Sequence, residues 1–249
     1  MNLLQIRTWF VQESGRYDLV VDTSAYLDNG ADRYIKAGQR MLDRMQQTRY
    51  STGRNFQLLT VNSYYLQLTS CRSVLEVWQT VPSSDDGRVK LEKKSISELR
   101  SLYPNMDTIE AGTPLYYSPT ILRAAPEADL VVRTPTDPFA SVSKYLDVLY
   151  DATHSTVSGV MVMPPVSVTT MIETWGYFYT YWPAADDKAS YWMENHPELL
   201  IMASQCVLEK FQRNSEGVKD WMIALKTELD GLDFDLVDEE TAEIAEMGG

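Results

Sequence analysis

His154 and His196 are the only imidazoles that this chain of 249 residues could use for acid–base or nucleophilic catalysis. A Ser–His–Asp site would need His154 together with Asp151 or a more distant acid, and a turn that presents the serine. No Gly-x-Ser-x-Gly motif occurs in the sequence. His196 stands beside Pro197 at an expected helix start, where a capping role accounts for it. We therefore predict no catalytic residue and no enzymatic activity.

Acidic pairs and glycines do not form a metal or phosphate motif either. Neither Asp85-Asp86 nor Asp186-Asp187 has the regular ligand spacing, ended by a bidentate acid, of a calcium loop. The segment 28–32 resembles such a loop faintly, and a helix cap explains it more simply. Ser51-Thr52-Gly53-Arg54 has no Lys-Ser/Thr after its single glycine, so it is not a Walker motif. We expect no metal and no cofactor, although glycosidase carboxylates among the 35 acids are not excluded by spacing alone.

The densest aromatic segment spans residues 175–182. On a continuous strand, alternate residues share a face. One face would then carry Trp175, Tyr177, Tyr179 and Tyr181, and the other Phe178 and Trp182. Aromatic ladders stack on sugars in some binding modules, but large rigid aromatics more often form a sheet core or a subunit interface. We favour an aromatic interface and keep carbohydrate or receptor binding as the alternative.

The clearest helix is predicted over residues 31–47, where apolar positions recur with helical spacing. Four basic residues fall together on its opposite face: Arg33, Lys36, Arg40 and Arg44. This face could contact an acidic partner or DNA in a channel. It could equally be the solvated side of an amphipathic helix, since Asp32 and Asp43 lie nearby.

Composition indicates a globular chain, with 44% hydrophobic and 23% charged residues. The N-terminus has no basic segment followed by a long apolar run, and no stretch of 18 apolar residues occurs, so we expect neither a signal peptide nor a membrane span. The two cysteines, Cys71 and Cys206, are expected to be reduced thiols of an intracellular product.

The net charge of −13 is concentrated at the C-terminus. From Thr227 onward there are nine acids and no Lys or Arg, which leaves about −4 for the rest of the chain. Phosphate neutralisation needs Lys and Arg, so this balance argues against tight wrapping of nucleic acid. It is compatible with a surface that DNA slides past.

Helical patterns occupy both ends of the chain and strand patterns its middle. Helices are predicted from about residue 3 to Ser14-Gly15, over 31–47, from Asn195-His196-Pro197-Glu198 to Asn214-Ser215, and over 216–229. The middle has one short helix, 95–103, in which Ser95 and Glu98 have capping-box spacing. Strands are predicted at 56–62, 65–70, 74–81, 89–92, 115–118, 129–133, 157–163 and 170–182, with a hairpin loop at 83–87. Residues 141–151 could be helix or loop.

This order predicts an α+β fold, because the strands cluster instead of alternating with helices. A discontinuous helical domain would comprise residues 1–50 and 184–232. A β-rich, sandwich- or barrel-like insertion would comprise residues 51–183. An acidic extension, residues 233–249, would order on binding its neighbours and offers apolar docking residues: Leu232, Phe234, Leu236 and Val237.

Both helical ends carry distinctive short sequence motifs. They are IRTWF at 6–10, SGRYDLV at 14–20, DNGAD at 28–32, IKAGQRMLD at 35–43, YWMENHPELLIMA at 191–203, FQRNSEG at 211–217 and DW at 220–221. Together these resemble the head-to-tail adaptor (connector) proteins of tailed bacteriophages and prophages. The match covers roughly a hundred residues, and the β-rich middle contributes no motif to it.

The resemblance implies a structural virion protein of the neck, made in the host cytoplasm and acting in genome packaging and ejection. Such adaptors form a homo-oligomeric ring, generally of twelve copies, between the portal protein and the tail or nozzle proteins. Their helices dock on the portal and line the channel for double-stranded DNA, which they do not bind sequence-specifically. A C-terminal extension often reaches into a portal groove. No membrane is implied as a partner.

Overall fold

The computed structural model of the chain describes residues 1–45, 52–80, 87–104, 109–123 and 156–247, with side chains except at 121–123, 156–158 and 233–247. It is a mixed α+β protein whose described part contains six α-helices and eight strands in two sheets. The chain divides into two compact units. A helical unit comprises Met1–Ser51 and Tyr179–Gly249, and a β unit comprises Thr52–Phe178.

The helical unit begins with α1 (Leu3–Ser14) and α2 (Ala31–Met45), joined through a 3₁₀ turn at Tyr17–Leu19. The Asn2 side chain accepts a hydrogen bond from Gln5 N–H, and the Asn2 backbone N–H donates one to Gln5 Oε1, which closes a capping box. Gly15 ends α1 with φ of 65°, a left-handed conformation that glycine adopts without strain. The sequence predicted this end correctly.

The C-terminal helices of the helical unit are α4 (Tyr191–Asn195), α5 (Pro197–Gln212) and α6 (Ser215–Met247). Pro197 occupies the first turn of α5, as expected, because its missing N–H is not needed there. α6 does not end near residue 229 but continues through most of the acidic segment. The sequence prediction stopped it too early because the apolar periodicity fades after Leu232.

A single hydrophobic core holds the helical unit together. Its fully buried members include Ile6 and Phe10 of α1, Ile35 and Leu42 of α2, and Leu200 of α5. Leu225 and Leu229 of α6 also belong to this core. At Gly38 the two helices α2 and α5 come so close that a Cβ atom would stand 2.7 Å from Ser204 N. Glycine at this position therefore permits the approach.

The β unit has two four-stranded sheets. The first has the order β1 (Thr52–Leu59), β8 (Thr170–Phe178), β3 (Cys71–Thr80) and β4 (Arg88–Lys90), all antiparallel. The second has the order β2 (Tyr65–Gln67), β7 (Thr156–Met163), β6 (Tyr116–Arg123) and β5 (Glu92–Lys93), of which only β5 and β6 are parallel. A short helix, α3 (Ile96–Leu102), follows β5 and begins with the predicted Ser95–Glu98 capping box.

One hydrophobic core is shared by both sheets. It contains Val77 and Ile172 from the first sheet and Leu66, Tyr117 and Val160 from the second. Of the two arrangements expected for the insertion, the described strands form two packed sheets and not a closed barrel. The predicted strand 129–133, the segment 141–151 and the loop residues 83–86 lie outside the described residues.

Strand β8 ends at Phe178, four residues before the predicted end at Trp182. The backbone N–H of Thr180 donates to Asp43 of α2, and the Thr180 carbonyl accepts from Gln39. Both backbone groups of Thr180 are therefore hydrogen-bonded to side chains of α2. Pro183, which has no N–H to donate to a strand, follows three residues later. The prediction was wrong here because side chains distant in sequence satisfy the backbone.

Candidate functional site

The four predicted basic residues of α2 are all exposed on one side of the helix: Arg33, Lys36, Arg40 and Arg44. We call them the basic face. They span eleven residue steps, or about 16 Å along the helix axis. None of the four makes an ion pair with a carboxylate in the part of the chain that the structure describes. The basic face therefore presents a continuous positive strip.

Three aromatic rings support the cations of the basic face. The Arg33 guanidinium lies 5.0 Å from the ring centroid of Phe211, and the Lys36 ammonium 5.6 Å from that of Trp182. Arg40 and Arg44 lie 5.7 and 5.9 Å from the Tyr179 ring. A cation over an aromatic face is attracted by the ring quadrupole, by about 0.5–1 kcal/mol at exposed sites. The cations are therefore held in place without being neutralised.

The segment carrying Tyr179 and Trp182 is fixed to α2 by buried polar side chains. Asp43 is 2% exposed, and its carboxylate accepts hydrogen bonds from Thr180 N (3.0 Å), Thr180 Oγ1 (2.6 Å) and Trp192 Nε1 (2.8 Å). Gln39, equally buried, donates to the Thr180 carbonyl at 3.0 Å. Gln39 and Asp43, one helical turn apart on the buried side of α2, therefore hold the segment with Tyr179 and Trp182 beside the basic face.

The predicted aromatic face does not exist as one strand surface. Trp175 and Tyr177 lie on β8 in the β unit, whereas Tyr179 and Tyr181 follow the strand and belong to the helical unit. Tyr181 is 68% exposed. The structure brings Tyr179 and the basic face together, two groups that no local sequence pattern connects.

Trp175 belongs to a second cluster, on the outer face of the first sheet. Its indole N–H donates to Glu173 at 2.8 Å, and the Arg54 guanidinium covers its ring at 4.8 Å. On the neighbouring strands, Trp78 donates to Glu76 at 3.0 Å, and Arg88 covers the Trp78 ring at 5.2 Å.

Glu173 links the two halves of this sheet cluster. Its side chain is 3% exposed and pairs with Arg88, and Arg54 lies 3.8 Å from its other oxygen. A cavity of about 260 Å³ opens between the two indoles. Sequence reasoning missed this cluster, because β8 pairs with β1 and β3, and β3 with β4, only in the folded sheet. The sequence signal for this cluster was a Glu and a Trp two residues apart in both strands, Glu76 and Trp78 in β3 and Glu173 and Trp175 in β8.

A buried ion-pair network fixes the first helix. Arg7 is 2% exposed, and its guanidinium binds Asp32 (Nε–Oδ1, 2.7 Å), Asp186 (Nη2–Oδ1, 2.6 Å) and the Tyr26 carbonyl (3.0 Å). Burial lowers the pKa of Arg7, but the hydrogen bonds that Arg7 donates to Asp186 and Asp32 outweigh burial and raise this pKa above its usual value. The hydrogen bond from Arg7 lowers the pKa of Asp186, while burial raises that of Asp32.

An apolar groove of about 350 Å³ lies between α1, α5 and α6. We call it the acidic groove, because three carboxylates stand around it: Glu13, Glu198 and Glu209. Trp9 and Trp221 contribute aromatic walls. The lining also contains apolar side chains, Ile201, Met202 and Leu208, and polar ones, Ser14, Gln205 and Gln212.

The remaining predicted residues have other placements. His196 precedes α5, where burial lowers its pKa, and its Nε2 lies 3.4 Å from the Tyr191 hydroxyl. His154 lies outside the described residues. Leu232 packs partly buried against the helical core, and the side chains of the other docking candidates, Phe234, Leu236 and Val237, lie outside the described set.

Within the described ranges, no group of three or more His, Cys, Asp or Glu side chains could hold a metal ion. None of the helices described is both long enough and apolar enough to cross a lipid bilayer. No protein-family model matches this chain, and a comparison with curated proteins found no match.

Proposed function

We propose that this chain is a structural adaptor subunit of a tailed-phage neck, which assembles as a ring, joins the portal to the tail and contributes to the DNA channel. The proposal starts from the resemblance of the short sequence motifs at both helical ends to those of phage adaptor proteins. The observation that carries it beyond resemblance is the basic face, because its cations are preorganised and left without carboxylate partners among the described residues.

A preorganised row of exposed cations suits a large anionic partner. Side chains already held over aromatic rings lose less conformational freedom on binding than free ones do. A row about 16 Å long exceeds the size of a small ligand but fits a helix or a nucleic-acid backbone. We infer that the basic face contacts a protein partner carrying carboxylates, or the passing DNA.

The finer domain assignment is part of this proposal. The helical unit would be the connector core, and the β unit an insertion that decorates the ring or binds tail proteins. The acidic segment after residue 232 would contact neighbouring chains in the assembled neck.

Native mass spectrometry of the purified chain, alone and mixed with the portal protein of its phage, tests the adaptor function. We expect ring-sized complexes in the mixture, and expect truncation after residue 232 to weaken them. A chain that remains a monomer of 28.4 kDa and ignores the portal would refute the adaptor function.

Carbohydrate binding in the virion is the second candidate, supported by the cavity between Trp78 and Trp175. Against it, Arg88 and Arg54 cover faces of these rings, and a sugar would have to displace them. Titration of a glycan panel against tryptophan fluorescence, with Trp78→Ala as the control, tests this candidate. Saturable quenching that Trp78→Ala abolishes would favour it over the adaptor function.

A further inference from the structure

The acidic groove combines three features that suit one kind of occupant. Its apolar residues can accept an aliphatic chain, its two tryptophans can face a cation, and its carboxylates can pair with one. Lysine and arginine are the side chains that carry an aliphatic stem and a terminal cation. The groove is therefore built for basic side chains.

The carboxylates of the groove have no cationic partner among the described residues. Glu209 Oε2 is buried and has no hydrogen-bond partner among those residues. Glu13 accepts one long bond of 3.3 Å, from Trp9. Neither these two nor Glu198 pairs with a Lys or Arg within the described ranges. Glu13 and Glu198 are exposed, so their carboxylates are open to an incoming cation.

The same unit displays a row of cations that also lack carboxylate partners among the described residues. The basic face lies on α2, whereas the groove is lined by α1, α5 and α6, and one core fixes all four helices. The two patches differ in charge and in the elements that form them. Contact between them in two copies would be heterologous, the type of contact that generates rings when the rotation closes.

We propose that the acidic groove of one copy receives side chains of the basic face of the next copy. This inference rests on the proposed function, since it names the contact between neighbouring subunits of the ring. The two tryptophans would cover the incoming cation, and the exposed carboxylates of Glu13 and Glu198 would pair with it.

Two charge-reversed variants test the contact, each altered on one patch only. The first carries Lys36→Glu and Arg40→Glu, and the second Glu13→Lys and Glu198→Lys. All four positions are exposed, so folding should be kept, which circular dichroism checks. The matched control is Lys226→Glu, an exposed cation of α6 outside both patches.

Sedimentation velocity over a concentration series at low salt measures the association. We expect the wild type and Lys226→Glu to associate alike, and each double variant to associate at least about tenfold more weakly. Mixing the two variants should restore association, beginning with a heterodimer that neither forms alone. In that mixture one intact groove meets one intact basic face, and the two reversed patches are also opposite in charge and can pair with each other.

Three outcomes would overturn the inference: a wild type that stays monomeric at hundreds of micromolar, double variants that associate like the control, or a mixture without heterodimer. The portal experiment fails or succeeds separately. Self-association through the groove without portal binding would refute the adaptor function and leave the contact intact. Portal-bound rings that tolerate both double variants would refute the contact and leave the adaptor function intact.

Discussion

Asp43→Asn should destabilise the helical unit by about 2–4 kcal/mol. In the wild type, Oδ1 accepts from Thr180 Oγ1 at 2.6 Å and Trp192 Nε1 at 2.8 Å, and Oδ2 accepts from Thr180 N at 3.0 Å. Asparagine keeps one oxygen and turns an amide N–H₂ toward at least one of these donors. The variant therefore loses a charge-assisted hydrogen bond and leaves a buried donor without an acceptor, which together cost about 2–4 kcal/mol.

Guanidinium unfolding, followed by tryptophan fluorescence, gives the free energy of unfolding. Hydrogen exchange at the amides of α2 and α5 reports the helical unit specifically. Asp18→Asn is the control, since Asp18 makes an exposed ion pair with Arg16 and its loss should leave the free energy of unfolding nearly unchanged. Combining Asp43→Asn with Thr180→Val should cost less than the sum of the two single changes. An Asp43→Asn protein within about 0.5 kcal/mol of wild type, with unchanged exchange, would refute the reasoning.

Three further changes probe packing, pH dependence and the buried network. Gly38→Ala should destabilise the protein, because overpacking against the Ser204 backbone costs about 1–3 kcal/mol and exceeds the gain in helix propensity. Gly231→Ala in α6, where an added Cβ meets no described atom within 4 Å, should instead stabilise the protein by about 1 kcal/mol. Thermal unfolding compares the two variants. Burial lowers the folded-state pKa of His196, so the unfolded chain takes up a proton first as the pH falls. The free energy of unfolding should therefore decrease as the pH drops below about 6.5. His196→Gln should remove this contribution to the pH dependence of the free energy of unfolding, measured between about pH 5 and 8. Arg7→Met should cost about 1–3 kcal/mol, less than the loss of a fully buried pair, because Asp32 and Asp186 keep 22% and 43% of their side-chain exposure. An unchanged melting temperature would contradict the role given to the network.

Local signals in the sequence were sufficient for many element boundaries. The cap at Ser95 and Glu98, the proline at position 197 and the glycine at position 15 act within one turn of the backbone. Their hydrogen bonds and dihedral preferences depend on neighbours a few residues away, so the positions alone predict them. The basic face of α2 was likewise predictable from helical spacing.

Longer-range contacts overrode the sequence signals elsewhere. The alternating pattern of side chains predicted that β8 extends to residue 182. The strand ends earlier because Asp43 and Gln39, more than 130 residues away in the chain, form hydrogen bonds with the backbone of Thr180. The partners of the basic face, Phe211 and Trp182, could not be inferred either, because no local pattern relates them to α2.

Spacing along single elements was enough to predict most of the helices and strands, the charged side of α2 and the segment where acids accumulate. Packing in three dimensions brings Tyr179 to two arginines, places Trp78 and Trp175 beside one cavity and gathers three glutamates around one groove. These contacts join side chains on different elements, and the packing within each unit sets their distances.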